Sequence, residues 1–142
     1  MRHPFIVGEH LYLRGLTRDD LGGNMFNWAN DAEVTRYMFM GAVPNTPQSL
    51  EREYDSLAAS QNDVVLAVVD TATDAHIGNT GLYAINWISR LAEYRIIIGE
   101  KDYWGRGYGT EAARLTVAYG FEKLNLNCIF LGVNAEHAAA IR

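Results

Sequence analysis

The chain has 142 residues, of which 49% are hydrophobic and 20% are charged, and its formal net charge is −5 at pH 7. This length predicts one domain over residues 1–142, with a core of ordinary size. The chain has no membrane-length apolar run and no signal-peptide pattern at residues 1–4, so we expect no membrane partner. The acidic balance argues against nucleic acid and suits a cationic substrate, although solubility alone also explains it. A single cysteine, Cys128, excludes an internal disulfide, is typical of the cytoplasm and is expected to pack in the core.

The first predicted elements are a strand and two short helices. Residues 11–16 alternate weakly between apolar and polar side chains and predict a strand. Thr17 can cap a short helix whose first turn is acidic, which suits the helix dipole. Consecutive glycines at 22–23 end that helix, and residues 24–37 predict a second helical piece.

A longer helix and a buried strand follow. Residues 41–47 predict a loop that ends in Thr46-Pro47, a pair that favours the start of a helix. We expect this helix to continue to about Ser60. The valine-rich run 63–69 predicts a buried strand that is followed by a turn.

The second half predicts two more strands, the central helix and a last strand. Residues 76–85 and 91–99 predict an antiparallel pair. The central helix is predicted over 107–123. Its predicted core face consists of Leu115, Ala118, Tyr119 and Leu124. A strand over 127–133 follows, and a further helix is predicted to start at Glu136.

The most informative segment is the glycine-rich run Tyr103-Trp104-Gly105-Arg106-Gly107-Tyr108-Gly109-Thr110. A strand, a glycine turn and a helix in this order gather free backbone N–H groups, and the helix dipole favours an anion there. The G-x-G-x-x-G dinucleotide pattern does not fit, because a threonine stands at the third glycine, and the chain has no Gly-Lys-Ser/Thr of a Walker loop. The segment therefore predicts a phosphate-binding loop of another kind.

The run from Trp104 to Gly109 resembles the acyl-CoA loop of the GNAT family of N-acetyltransferases, roughly [QR]-x-x-G-x-[GA], with Trp104 in the first place. The sequence of this run is similar to that of the branch that contains ribosomal-protein N-terminal and spermidine acetyltransferases. The resemblance extends to residues 11–21, 92–98 and 131–134. It implies an α/β fold with a mixed, mostly antiparallel central sheet that is flanked by helices and splayed at the acetyl-CoA site.

The resemblance also implies acetyl transfer from acetyl-CoA to a primary amine by direct attack in a ternary complex. The acceptor would be a protein N-terminus, a polyamine or an amino-sugar. Two alternatives remain open: a catalytically inactive acyl-CoA-binding or sensing domain, and a binder of nucleotide phosphates. We expect no metal, because the four scattered histidines show no metal-ligand spacing.

The cofactor-binding residues implied by the resemblance lie on two strands and on the glycine loop. The main chain of Ile97, Ile98 and Gly99 would pair with pantetheine. Asn134 could also reach pantetheine, or be a turn residue or helix cap. The diphosphate would be bound by the loop residues Trp104, Gly105, Arg106, Gly107, Tyr108, Gly109 and Thr110.

Acidic residues are the candidates for accepting a proton and binding the amine, because an amine with a pKa near 10 is mostly protonated at pH 7. Glu93 is the leading catalytic base, and the alternative is an ion pair with Arg95 on the same strand face. Asp31 and Glu33 resemble acidic substrate positions of the polyamine branch, although such acids are more often merely solvated surface residues. Glu111, in the first turn of the central helix, is explained by the helix dipole.

The family's chain continues past Arg142 with the rest of a helix, which carries a tyrosine proton donor for the thiolate, and two strands. We therefore expect this 142-residue chain to have little activity, and to form a homodimer that covers its exposed sheet edge.

Overall fold

The computed structural model describes residues 3–34 and 44–131, and its centre is a six-stranded sheet whose strands lie side by side in chain order. Neighbouring strands are antiparallel except the last pair, which is parallel. The predicted mixed, mostly antiparallel sheet is thus confirmed. The strands are β1 (Ile6–Val7), β2 (Leu11–Gly15), β3 (Val64–Asp70), β4 (His76–Asn86), β5 (Leu91–Ile98) and β6 (Cys128–Phe130).

The helices of the described residues flank the sheet, and two of them begin directly after their predicted caps, Arg18–Gly22 after Thr17 and Pro47–Ala59 after Thr46. They are the α-helices α1 (Met25–Asn30), α2 (Pro47–Ala59) and α3 (Tyr108–Glu122), and the 3-10 helices Arg18–Gly22 and Lys101–Tyr103. At the start of α2, the Ser49 backbone N–H donates to Thr46 Oγ1 over 3.1 Å, which satisfies one of the orphan donors of the first turn. None of these helices is both long and apolar enough to cross a membrane.

Leu115, Tyr119 and Leu124 of the predicted core face pack against the core, as expected, but the most buried positions of α3 are small residues that the prediction missed. These positions include Ala112, Thr116 and Gly120. A Cβ at Gly120 would lie 2.7 Å from Ile129 Cδ1 and 2.9 Å from Leu82 Cδ1. Small residues therefore let the helix approach the sheet closely. The predicted larger residues, Leu115, Ala118, Tyr119 and Leu124, flank this contact and are half-buried.

The prediction that Cys128 packs in the core is wrong. In β6 the side chains of Cys128 and Phe130 are exposed, and Ile129 between them is half-buried. Period-two alternation on the last of the described strands places the thiol on the outer face.

Glu111 has a larger role than helix-dipole compensation. Its carboxylate is buried and accepts hydrogen bonds from the backbone N–H groups of His10 (2.9 Å) and Leu11 (3.1 Å). His10 Nδ1 lies 3.0 Å from its other oxygen. Burial acts to raise the pKa of Glu111, but these hydrogen bonds hold it below its ordinary value. The carboxylate therefore ties the start of α3 to the start of β2.

We predict that Glu111→Ala lowers the free energy of unfolding by about 2 kcal/mol at pH 7, because it leaves two backbone donors unsatisfied. Since the folded-state pKa of Glu111 is lowered, its contribution is present above the unfolded-state pKa of about 4.3 and is lost as the pH falls through the folded-state value. The difference from the wild type should therefore shrink below about pH 4.

Urea unfolding at pH 7 and at pH 3 measures this effect. The control Glu122→Ala, at the exposed end of the same helix, should cost less than about 0.5 kcal/mol. An equal loss for Glu111→Ala at both pH values would show that its charge is not involved.

Candidate functional site

The glycine-rich loop connects β5 to α3 and turns through two left-handed residues. Gly105 has φ = 73° and Gly107 has φ = 84°, a region in which only glycine is unstrained. No heavy atom of the described residues lies within 4 Å of a Cβ built on either glycine. The backbone conformation, rather than crowding, therefore requires glycine at both positions.

The start of α3 is arranged to bind an anion. Gly107 is the N-cap and has no side chain with which to satisfy the helix. Its carbonyl accepts the first helical bond, from the Glu111 N–H over 3.0 Å. By helix geometry, the N–H groups of Tyr108, Gly109 and Thr110 have no partner within the helix. Together with the helix dipole, donors in this arrangement can bind a phosphate group.

The edge of β5 is open beside this loop. Parallel pairing with β6 covers Leu91, Ala92 and Glu93 and ends there. From Tyr94 to Ile98, β5 pairs with β4 on one side and has no strand partner among the described residues on the other. An extended ligand chain can therefore lie along this edge and reach the glycine loop.

Gly99, directly after β5, is required by close packing against the Trp28 ring. A Cβ there would lie 2.0 Å from Trp28 Cδ2. Trp28 is buried, and its indole Nε1 donates to Glu100 Oε1 over 2.9 Å. The indole thereby packs α1 against the end of β5.

Glu93 forms an ion pair with Arg95, which was the alternative to its role as the catalytic base. Arg95 Nε donates to Glu93 Oε1 over 3.0 Å, and its guanidinium carbon lies 4.6 Å from the centroid of the Tyr83 ring. The hydrogen bond that Arg95 donates to Glu93 raises the pKa of Arg95, so this cation stays charged. Burial raises the pKa of Tyr83 to about 12, so its hydroxyl stays protonated at neutral pH.

A cavity of about 140 Å³ lies between the sheet and helices α1 and α2. Its wall is largely apolar, and Glu53, Tyr83 and Arg95 are among its polar residues. An open cleft of about 350 Å³ lies closer to the loop and is lined by Asp19, Asp20, Gly23, Asn24, Ala75, His76, Glu100 and Tyr103.

Asp31 and Glu33 bind a cation within the chain. Lys101 Nζ lies 2.9 Å from a carboxylate oxygen of each. The hydrogen bond from Lys101 lowers the pKa of Asp31, although the residue is exposed. Lys101 lies just before the predicted cofactor loop, so the structure brings the predicted substrate acids close to that loop. Lys101 is 70 positions from Asp31 and 68 from Glu33 in the sequence, and this separation did not indicate the contact.

The chain matches the acetyltransferase (GNAT) domain family over residues 10–142. It belongs to the GNAT family. It is 36% identical over 129 residues to the spermidine N(1)-acetyltransferase of Escherichia coli (strain K12), covering 91% of this chain and 67% of that protein. It is 31% identical over 141 residues to the uncharacterized N-acetyltransferase p20 of Bacillus licheniformis, covering 94% and 75% respectively.

The fold comparison agrees with the family. The spermidine N-acetyltransferase from Vibrio cholerae, crystallised in complex with CoA and spermine, matches this GNAT chain with a TM-score of 0.84 at 30% identity. The match covers 94% of this chain and 77% of that protein. The chain is thus an acetyl-CoA-dependent N-acetyltransferase that transfers an acetyl group to an amine, and the family resemblance of its sequence is confirmed.

Two site features of this GNAT chain were not found from the sequence. Asp70 was placed in a turn, yet its buried carboxylate accepts hydrogen bonds from Tyr103 and Tyr108 beside the loop. Glu9, His10 and Glu111 offer ligand atoms within 4.8 Å of one another, but both Glu111 oxygens already accept hydrogen bonds from His10 and Leu11.

Asn134 and Glu136 lie outside the described residues.

We predict that Gly99→Ala destabilises the fold by about 1–3 kcal/mol, because the added methyl group overlaps the Trp28 ring and forces it to move. The measurement is thermal unfolding followed by tryptophan fluorescence. The control is Gly15→Ala, where a Cβ meets no described atom within 4 Å, and its effect should stay below about 0.5 kcal/mol. Equal stability of the two variants would contradict the close packing of Trp28 on Gly99.

Proposed function

We propose that this N-acetyltransferase acetylates a primary amine of a polyamine such as spermidine, by direct attack of the neutral amine on acetyl-CoA in a ternary complex. The observation that carries the proposal is the open edge of β5 that leads directly into the glycine loop. One ligand can use both features, because coenzyme A joins an extended, amide-containing pantetheine arm to a diphosphate.

In this proposal the two parts of the cofactor bind to different parts of the chain. The backbone of Ile97, Ile98 and Gly99 would pair with the pantetheine amides through the groups that the fold leaves open, since the Gly99 N–H already donates to the Ile77 carbonyl over 2.8 Å. The N–H groups at the start of α3 bind the diphosphate, and Arg106 adds a positive charge. Asn134 remains a proposed pantetheine contact. Trp104 is already engaged, since its Nε1 donates to the Ile98 carbonyl over 2.6 Å, so it shapes the junction between strand and loop.

Glu93 is the proposed general base. It shares a face of β5 with Arg95, which lines the cavity between the sheet and helices α1 and α2. A carboxylate there can take a proton from the bound ammonium, directly or through water. The nitrogen lone pair then attacks the thioester carbonyl and forms a C–N bond. The C–S bond breaks, and the proton that the nitrogen must still lose goes to the departing thiolate, so that CoA leaves as the thiol. Arg95, through its hydrogen bond, would orient the carboxylate.

The polyamine acceptor is supported by both charge and relatives. Asp31 and Glu33 already hold one ammonium group, that of Lys101, at hydrogen-bond distance. A polyamine carries several such groups along an apolar chain, and one of them can bind this pair while another enters the cavity. Two relatives are named for spermidine acetylation, and one was crystallised with spermine. A protein N-terminus or an amino-sugar offers fewer positive charges.

Location and assembly also remain proposals. The exposed thiol of Cys128 favours the reducing cytoplasm. Phe130, at the end of β6, and Leu131, directly after it, are exposed and favour a homodimer that buries them.

The acceptor is tested by thiol release from acetyl-CoA in the presence of spermidine, spermine, a peptide with a free N-terminus and glucosamine. We expect kcat/KM to be highest for the polyamines. A preference for the peptide would overturn the polyamine assignment. CoA binding without thiol release from any of these amines would favour the inactive binding or sensing domain.

For Glu93→Gln we predict a loss of about 100-fold or more in kcat, with KM for acetyl-CoA nearly unchanged, because a general base contributes about that much. Without the base, the reaction relies on free amine in solution. The rate of the variant should therefore rise about tenfold per pH unit below the amine pKa, more steeply than the wild type. Arg95→Gln should cost about tenfold or less, and Glu122→Gln should have no effect. Equal losses for Glu93→Gln and Arg95→Gln would assign Glu93 to the ion pair alone.

For Gly107→Ala we predict CoA binding weaker by about 10-fold or more, which corresponds to roughly 1.4 kcal/mol. An alanine resists the left-handed φ at this position, so the N–H groups of the loop turn away from the diphosphate. Isothermal titration calorimetry with CoA measures the effect, with Gly15→Ala as the control. Unchanged affinity would contradict the role of the loop.

A further inference from the structure

Asp70, the last residue of β3, connects the core of the sheet to both sides of the glycine loop. The residue is 3% exposed. Tyr103 Oη donates to its Oδ2 over 2.9 Å, and Tyr108 Oη donates to its Oδ1 over 3.1 Å. Thr73 Oγ1 donates to Oδ2 over 2.9 Å, and the Ala72 N–H donates to Oδ1 over 3.4 Å. One carboxylate therefore holds the tyrosine before the loop and the tyrosine after it.

These hydrogen bonds are charge-assisted at neutral pH. Burial acts to raise the pKa of Asp70, but the hydrogen bonds from Thr73, Tyr103 and Tyr108 hold it below its ordinary value. Burial and the neighbouring Asp70 carboxylate raise the pKa of Tyr108, so its hydroxyl remains a donor. A charged acceptor and a protonated donor make a shorter and stronger bond than a neutral pair.

The two tyrosine rings in turn hold Arg106. They meet edge to face, with their centroids 5.0 Å apart. The Arg106 guanidinium carbon lies 5.0 Å from the centroid of Tyr103 and 5.4 Å from that of Tyr108. Arg106 Nη1 also lies 3.4 Å from the Asp102 carbonyl oxygen. Cation–π contact with both rings restricts the side chain of an exposed arginine.

We propose that Asp70 is a positioning residue for cofactor binding: through Tyr103 and Tyr108 it places the Arg106 guanidinium where the CoA phosphates bind. This inference rests on the proposed function, in which the glycine loop binds CoA. Arginine is a long side chain that loses rotamer freedom when it binds a phosphate. Holding it beforehand between two fixed rings lowers that cost and so increases affinity.

The test removes the tyrosine hydroxyls and keeps the rings. Tyr103→Phe and Tyr108→Phe are each made in the wild type and in an Arg106→Ala background, and the Kd for CoA is measured by calorimetry. Each hydroxyl deletion should weaken CoA binding about 2- to 10-fold. In the Arg106→Ala background the same deletions should have almost no effect, because the group that they position is gone.

Steady-state kinetics provides a second readout. KM for acetyl-CoA should rise with Kd, and kcat and KM for the amine should stay within about twofold, since neither tyrosine contacts the amine in this proposal. The control is Tyr119→Phe on α3, whose hydroxyl has no hydrogen bond to any described residue and whose pKa is raised by burial alone. It should leave the Kd for CoA unchanged.

Three results would overturn the inference. Unchanged CoA affinity in both phenylalanine variants would remove its basis. An equal loss with and without Arg106 would show that the hydroxyls act on the fold alone. A wild-type protein that does not bind CoA would overturn the proposed function together with this inference, whereas the first two results would leave the proposed function intact.

Discussion

The site depends on the anchoring of the first turn of α3 to the sheet by two buried carboxylates. Glu111 extends from the helix and accepts the N–H groups at the start of β2, including that of Leu11. Asp70 extends from the end of β3 and accepts the Tyr108 hydroxyl. Leu11 and Asp70 are direct partners in the β2–β3 register. Two carboxylates therefore hold the start of α3 against the same pair of strand ends. One carboxylate comes from the helix and the other from the sheet.

This anchoring explains how the glycine loop can be open and still be ordered. A loop with φ values above 70° at two glycines gains little from its own packing, since no described atom beyond the adjacent residues lies within 4 Å of a Cβ built on either glycine. Its two ends are held instead. Tyr103 and Tyr108 share Asp70, and Gly99 is packed under Trp28. A ligand that binds to such a loop meets backbone donors that are already oriented, which is the condition for tight binding of a phosphate.

The local parts of this arrangement were predictable, and the long-range parts were not. Strand positions, the Thr46 cap of α2 and the glycine turn follow from neighbouring residues, so the sequence was sufficient for them. Glu111 and Asp70 act on residues 100 and 38 positions away, and no local pattern encodes such a partner. The small residues on the buried face of α3 were missed for a related reason. Hydrophobic size indicated Leu115 and Tyr119, whereas close approach to the sheet required Gly120 and Thr116.

The acidic residues expected to handle the amine share one further property, which is that each already has a cationic partner. Glu93 is paired with Arg95, and both Asp31 and Glu33 are paired with Lys101. The exposed pairs contribute little to stability, because water screens them and long side chains lose entropy in forming them. Under the proposed function, a cationic substrate would bind in competition with these pairs. An ammonium group that enters must exchange with an ammonium or guanidinium of the protein, so the gain is the difference between two similar ion pairs. Such an exchange favours a ligand with several charges on one chain, since a second contact then forms at high effective concentration.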